Sequence, residues 1–223
     1  RIVHVEPGTP RLISEPESTP AVSAPPRGMV AIPSGTFTFN PAHEGSFIPY
    51  PDHGHENPKH VSAFYMDKYP VTNKQFYDFI QQTGYMPSDT VNYLSHWHKG
   101  TFPDGKGNYP VVYVSLEDAW AYAEWAVKRL PTEAEWQWAA QSSDGRAWPW
   151  GTDMDSSKCN AGLGKMTAVN SYPEGESPFG VKDLVGNVWQ LTADVHDNCS
   201  HTFIIMRGGS FYHPTSSWWY VPG

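Results

Sequence analysis

The sequence predicts a mixed α+β fold of low regular secondary structure, with two to three short helices and small antiparallel sheets. Three observations predict it. Capped helix starts occur at three places in the middle of the chain. Short apolar runs bounded by turn residues lie before and after them. The 223 residues also include 21 Pro and 19 Gly, which break the chain into many turns. Aromatic residues make up 14% of the chain, enough large apolar rings to build a core under so irregular a backbone.

Residues 1–27 read as a Pro-rich linker or the tail of an upstream region, and residues 28–223 as one domain. Pro7, Pro10, Pro16, Pro20, Pro25 and Pro26 stiffen the first stretch, with a short strand expected at Arg1–Val5. Met29–Pro33 and Gly35–Phe39, joined by Pro33-Ser34-Gly35, read as a β-hairpin. A His-rich polar loop follows to about Lys59, and Val61–Met66 returns to strand.

Thr72 and Gln75 form a capping box ahead of Phe76, Phe79 and Ile80, and Gly84 ends that helix. Ser115 precedes Glu117 and Asp118, whose carboxylates suit the positive end of a helix dipole. Thr132 and Glu135 form another capping box ahead of Trp136. Trp120, Trp125, Trp136, Trp138 and Trp189 occupy positions expected for core. After Ser143 the helix signal stops. Phe203-Ile204-Ile205-Met206 reads as a buried strand by its length. So long an irregular stretch needs another source of order, and bound cations are one such source.

The net charge of −8 excludes a general nucleic-acid binder, which needs a basic surface. No apolar run reaches the ~20 residues of a membrane-spanning helix. Two cysteines, Cys159 and Cys199, do not make a disulfide framework and are expected to be buried or inert thiols. Arg1 reads as a processing boundary, and the domain is expected to be exported, to the periplasm, the cell surface or the exterior. Two His-x-His pairs occur. His53 and His55 are expected in a solvated loop, and His96 and His98 at the surface on either side of a core Trp97.

Several segments occur in a telling order. They are Met29–Phe37, Tyr69-Pro70-Val71-Thr72-Asn73, Arg129–Trp136, Trp148-Pro149-Trp150-Gly151, Gly180–Trp189 and Arg207-Gly208-Gly209-Ser210-Phe211. Together they resemble the formylglycine-generating enzyme family, also called sulfatase-modifying factors. The resemblance implies a variant of the C-type lectin fold. It also implies either a copper- and oxygen-dependent oxidoreductase that converts a sulfatase cysteine to formylglycine, or a member with another role. A closing Gly-Phe-Arg, usual in the family, is expected beyond Gly223.

The oxidising members bind Cu(I) through two cysteines placed shortly after the Arg-Gly-Gly-Ser segment, because soft thiolates suit that ion. Here those two positions fall on His213 and Trp218, and no cysteine follows Cys199, itself a weak copper candidate. The domain is therefore expected to be a non-catalytic binding or scaffold domain. His213, Trp218, Trp219 and Tyr220 would line its ligand groove, with a peptide, protein or carbohydrate as ligand. The active oxidase, with copper, is the alternative.

The resemblance also implies calcium. One site falls on Asp183, the carbonyls of Gly186 and Val188, and Gln190. A weaker one falls on Asn160, Ala161, Asn170 and Tyr172, where Asn170 replaces a carboxylate. Asn187 is expected to bond backbone rather than metal.

Overall fold

A computed structural model of the chain describes residues 10–12, 19–20, 24–38, 58–197 and 202–212. Seven strands and three helices follow in chain order. They are β1 (Pro10–Leu12), β2 (Met29–Ile32), β3 (Gly35–Thr38), β4 (Pro58–Val61), β5 (Phe64–Asp67), α1 (Asn73–Thr83), α2 (Leu116–Trp125), α3 (Glu133–Gln141), β6 (Gln190–Asp197) and β7 (Thr202–Arg207). The strands form three small antiparallel sheets, ordered β1-β6-β7, β2-β5 and β3-β4.

All three helices start where the sequence places them. Thr72, Ser115 and Thr132 are N-caps, and each makes a full capping box, with Gln75, Asp118 and Glu135. Each box satisfies two of the backbone N–H groups that a helix start leaves without partners. Gly84 closes α1 in the left-handed conformation, donating its N–H to Ile80 O at 2.8 Å.

The expected hairpin does not form. β2 pairs with β5 and β3 with β4, so the two runs belong to different sheets. Trp138 of α3 is the reason. Its indole N–H donates to Pro33 O at 2.8 Å, and its ring lies where a Cβ on Gly35 would be. The ring wedges into the turn between the strands, a position only glycine leaves open.

β1 lies inside the stretch read as linker and pairs with β6 in the register Pro10↔His196 to Leu12↔Asp194. Arg1–Val5 falls outside the described residues.

Two cores result. One joins Ile32, Phe37, Val61 and Phe64 of the small sheets to Trp136, Trp138 and Ala139 of α3 and to Val181 and Leu184. The other is almost wholly aromatic. In it Phe76 and Phe79 of α1 meet Tyr122 of α2, with Leu94 and Trp97 from the segment between the helices. The Phe76 and Tyr122 rings stack at 5.6 Å. The first core carries the candidate site, because α3 packs against β6 and β7.

Candidate functional site

The site region forms where three sequence segments converge, and polar bonds along α3 hold them together. At the start of α3, Arg129 grips Glu135 with both guanidinium nitrogens, at 2.7 and 2.6 Å. Glu133, buried in the first turn, pairs with Arg207, the last residue of β7. The Asp194 carboxylate accepts the Glu133 N–H. One turn on, the Trp136 indole donates to Gln190 Oε1 at 2.9 Å, and Gln190 Nε2 donates to Asp183 O at 2.6 Å. The acids of the Arg129–Trp136 segment thus anchor structure and are not free to react.

The Arg207–Phe211 segment lies flat on the Asp183–Val188 loop. Gly186 N–H donates to Gly208 O at 2.6 Å, and Phe211 N–H to Asn187 O at 3.0 Å. A Cβ on Gly208 would sit 2.6 Å from Leu184 O, so this close approach requires glycine. Asn187 is the hub beneath. Its Oδ1 accepts Thr167 N–H at 2.9 Å and Asn160 Nδ2 at 3.2 Å, while its Nδ2 donates to Thr167 O at 3.1 Å. Asn187 therefore bonds protein groups, as its sequence context predicts.

The residues implied for calcium lie around this hub. Asn160 is fully buried and pairs with Gly186 in an isolated parallel bridge, so the two implied sites adjoin. Asn160 Nδ2 also donates to Lys165 O at 3.0 Å, but Oδ1 is buried with no hydrogen-bond partner among the described residues. A buried carbonyl oxygen without a donor is costly, and a hard cation is the kind of partner it fits. Asn170 has φ of 65°, and its N–H donates to Asp183 Oδ2 at 3.0 Å. Burial pushes the Asp183 carboxyl above its ordinary range, against the pull of the Asn170 N–H and Lys182.

In the Asp183 set, Gly186 O already accepts Val188 N–H at 2.8 Å, and Gln190 Oε1 holds the Trp136 indole. The unsatisfied oxygen thus lies in the Asn160 set, where the sequence alone points to weaker binding.

Cys159 is buried, and burial raises its thiol pKa, so it stays protonated and unreactive. Among the described residues no three His, Cys, Asp or Glu side chains gather as a metal site. Cys199, His53, His55, His213, Trp218, Trp219 and Tyr220 lie outside the described residues.

Two readings change near the site. Trp189, expected in the core, is 44% exposed. The Phe203–Met206 run is half buried rather than buried: Ile205 faces inward, while Ile204 and Met206 are 40% and 47% exposed. Register bears on both. Leu191 pairs with Met206, and paired residues share a sheet face. Alternation along β7 places Ile204 on the side of Met206, but the register shifts between Leu191 and Val195, so Ile204 pairs with the buried Val195, while Trp189 lies just before β6. The opposite face turns Gln190 and Ile205 toward α3. Trp189, Ile204 and Met206 are therefore exposed apolar side chains close in sequence to the Arg207–Phe211 segment, with Leu191, paired to Met206, half-buried. The sequence signal was present as alternation across β6 and β7, hidden by the uninterrupted apolar run.

No helix among the described residues is long and apolar enough to cross a membrane.

Known proteins share this fold. The crystal structure of CarF superposes with a TM-score of 0.60 at 19% identity, covering 83% of this chain and 87% of that one. It supports the lectin-like α+β fold. The formylglycine-generating enzyme of Thermomonospora curvata is 33% identical over 75% of this chain and 71% of its own length. The inactive C-alpha-formylglycine-generating enzyme 2 of Bos taurus is 30% identical over 68% of this chain and 66% of its own. Across its curated relatives the chain spans from about half to about four fifths of their length. The model of the sulfatase-modifying factor enzyme 1-like domain matches residues 14–219. With the fold, the ordered segments and the relatives in agreement, the chain belongs to the sulfatase-modifying factor family, whose members include enzymes and inactive forms.

Proposed function

We propose that this domain, in an exported protein, binds an extended peptide segment of a partner and does not oxidise it. The observation that carries the reading is the exposure of the large apolar side chains Trp189, Ile204 and Met206 at β6 and β7, close to the Arg207–Phe211 segment. Just after that segment, His213 and Trp218 stand where the oxidising members have thiolates. Imidazole can bind copper, but indole offers no lone pair, so the two-thiolate site is lost. Ile204 and Met206 add aliphatic surface, which favours a peptide over a carbohydrate. Trp218, Trp219 and Tyr220 supply further rings in the sequence that follows.

Calcium is the cofactor proposed for the same domain. Asn160 Oδ1, the Ala161 carbonyl, Asn170 and the Tyr172 carbonyl would hold one ion, with Asp183, Gly186, Val188 and Gln190 as the adjoining set. The buried, unpartnered Asn160 oxygen supports the first set. The ion would order the loops under the peptide face and take no chemical part. The copper oxidase is the second reading, favoured by the identity to the Thermomonospora enzyme.

The test is retention of the domain on an array of extended peptides that includes the family's Cys-x-Pro-x-Arg target, beside an array of glycans. Retention on peptides, weakened tenfold or more by Trp189→Ala, is expected for a central aromatic anchor. Retention on glycans alone, or peptide binding indifferent to Trp189→Ala and Met206→Ser, would contradict it.

A further inference from the structure

Away from this site, the aromatic core under α1 and α2 contains a histidine with no visible structural use. His96 lies in the segment joining the helices. Both ring nitrogens are buried, and neither has a hydrogen-bond partner among the described residues. The half-buried ring packs 5.5 Å from that of Tyr113, itself 56% exposed, and 6.3 Å from that of Trp97, centroid to centroid. On the same segment, Tyr93 Oη is also buried without a partner among the described residues. A neutral imidazole in this position already lacks one acceptor and one donor. An imidazolium would lack two acceptors and bury a charge.

The groups around His96 give that charge no counterion. Its electrostatic neighbour is His98, on the same segment and of the same potential sign. Tyr113, across from it, offers an aromatic ring. Two of the three carboxylates of α2 are engaged elsewhere: Glu117 accepts from Ser88, and Asp118 accepts Tyr85 Oη at 2.8 Å and Ser115 N–H at 2.7 Å. Burial, then His98, hold the imidazole below its ordinary pKa.

The backbone around it is poised to move. Leu94, Lys99 and Tyr113 have φ of 46°, 52° and 59°, left-handed conformations that cost energy in residues with a Cβ. Leu94 N–H donates to Tyr113 O at 2.9 Å, so two of the positive-φ positions are tied together.

We propose that His96 is an acid-sensitive latch: protonation at its buried, unpartnered ring nitrogens loosens its packing on Trp97 and Tyr113 and opens the segment of residues 84–114 between α1 and α2, while the core on α3 stays folded. The sign follows from linkage. The folded pKa lies below the unfolded one, so stability from this group is present above about pH 6.5 and is lost as pH falls through that value. The proposal does not depend on the peptide face or on calcium.

Two measurements on the whole chain test it. The first is the NMR titration of the His96 Cε1–H resonance. The second is amide exchange of residues 84–114 at pH 7 and pH 5, corrected for intrinsic rates. His96 is expected to titrate below 6.5. Protection of this segment should fall by more than about twofold at pH 5, because the opened segment takes up a proton that the closed one resists. His96→Phe, which keeps a ring without a charge, should lose less than twofold. Titration at or above 6.5, or an equal pH response in the variant, would overturn the latch. If His96→Phe does not fold, His96→Gln serves as the uncharged comparison.

Discussion

At Gly35 one hydrogen atom decides where two strands go. A methyl group there would enter the Trp138 ring, which its indole bond to Pro33 O holds in place. Gly35→Ala should therefore destabilise the domain by about 1–3 kcal/mol, the usual cost of overpacking. The check is a lower urea midpoint with an unchanged slope. Asp183 is the second decisive residue. Burial raises its pKa, so its contribution is favourable at low pH and is lost as pH rises through the folded value. Asp183→Asn should raise the melting temperature of calcium-free protein at neutral pH, and the gain should vanish near pH 4, around the ordinary Asp pKa. An Asn that is destabilising at pH 7 in the presence of a chelator would contradict this account of its burial.

At the scale of elements, the helices were legible because their signals are local. Each capping box spans four residues, and the structure has all three. Thr132→Ala should cost about 1 kcal/mol, and by loosening the first turn of α3 it should disturb the Glu133–Arg207 pair as well. Thermal unfolding checks it, with an expected drop of about 2–4 °C for a domain of this size. The strands were legible as strands but not in their pairing. What separates β2 from β3 is Trp138, more than a hundred positions away, and no local pattern contains it. Burial was misread for a related reason. Trp189 and the β7 run look like core by hydrophobicity, but their exposure is set by which face of β6 and β7 meets α3.

At the scale of the molecule, the described residues form two hydrophobic cores joined by long irregular loops, and the loops after α3 are tied by buried amides. Asn160 and Asn187 organise the chain after α3 much as a sheet would, through bonds that reach 20 to 27 residues along the sequence. The Gly-rich composition signalled that such loops exist, and the family segments showed which ones. The sequence did not reveal that Asn160 Oδ1 is left without a partner, since that depends on the positions of Lys165, Thr167 and Asn187 together. If calcium takes that oxygen, saturation at 100 times Kd should add about 2.7 kcal/mol. That corresponds to roughly 5–10 °C of melting temperature, abolished by chelator and by Asn160→Ala. Equal melting in calcium and in chelator would leave the amide without an ion.

We propose that the chain keeps its family's fold while His213 and Trp218 stand in place of the oxidising members' two thiolates. The most direct measurement is the mass of a Cys-x-Pro-x-Arg peptide after incubation with the domain, Cu(I), a thiol reductant and oxygen. The expected result is an unchanged cysteine, with or without copper. Copper-dependent conversion to the aldehyde, lost in Cys199→Ser, would contradict the account and make the domain an oxidase.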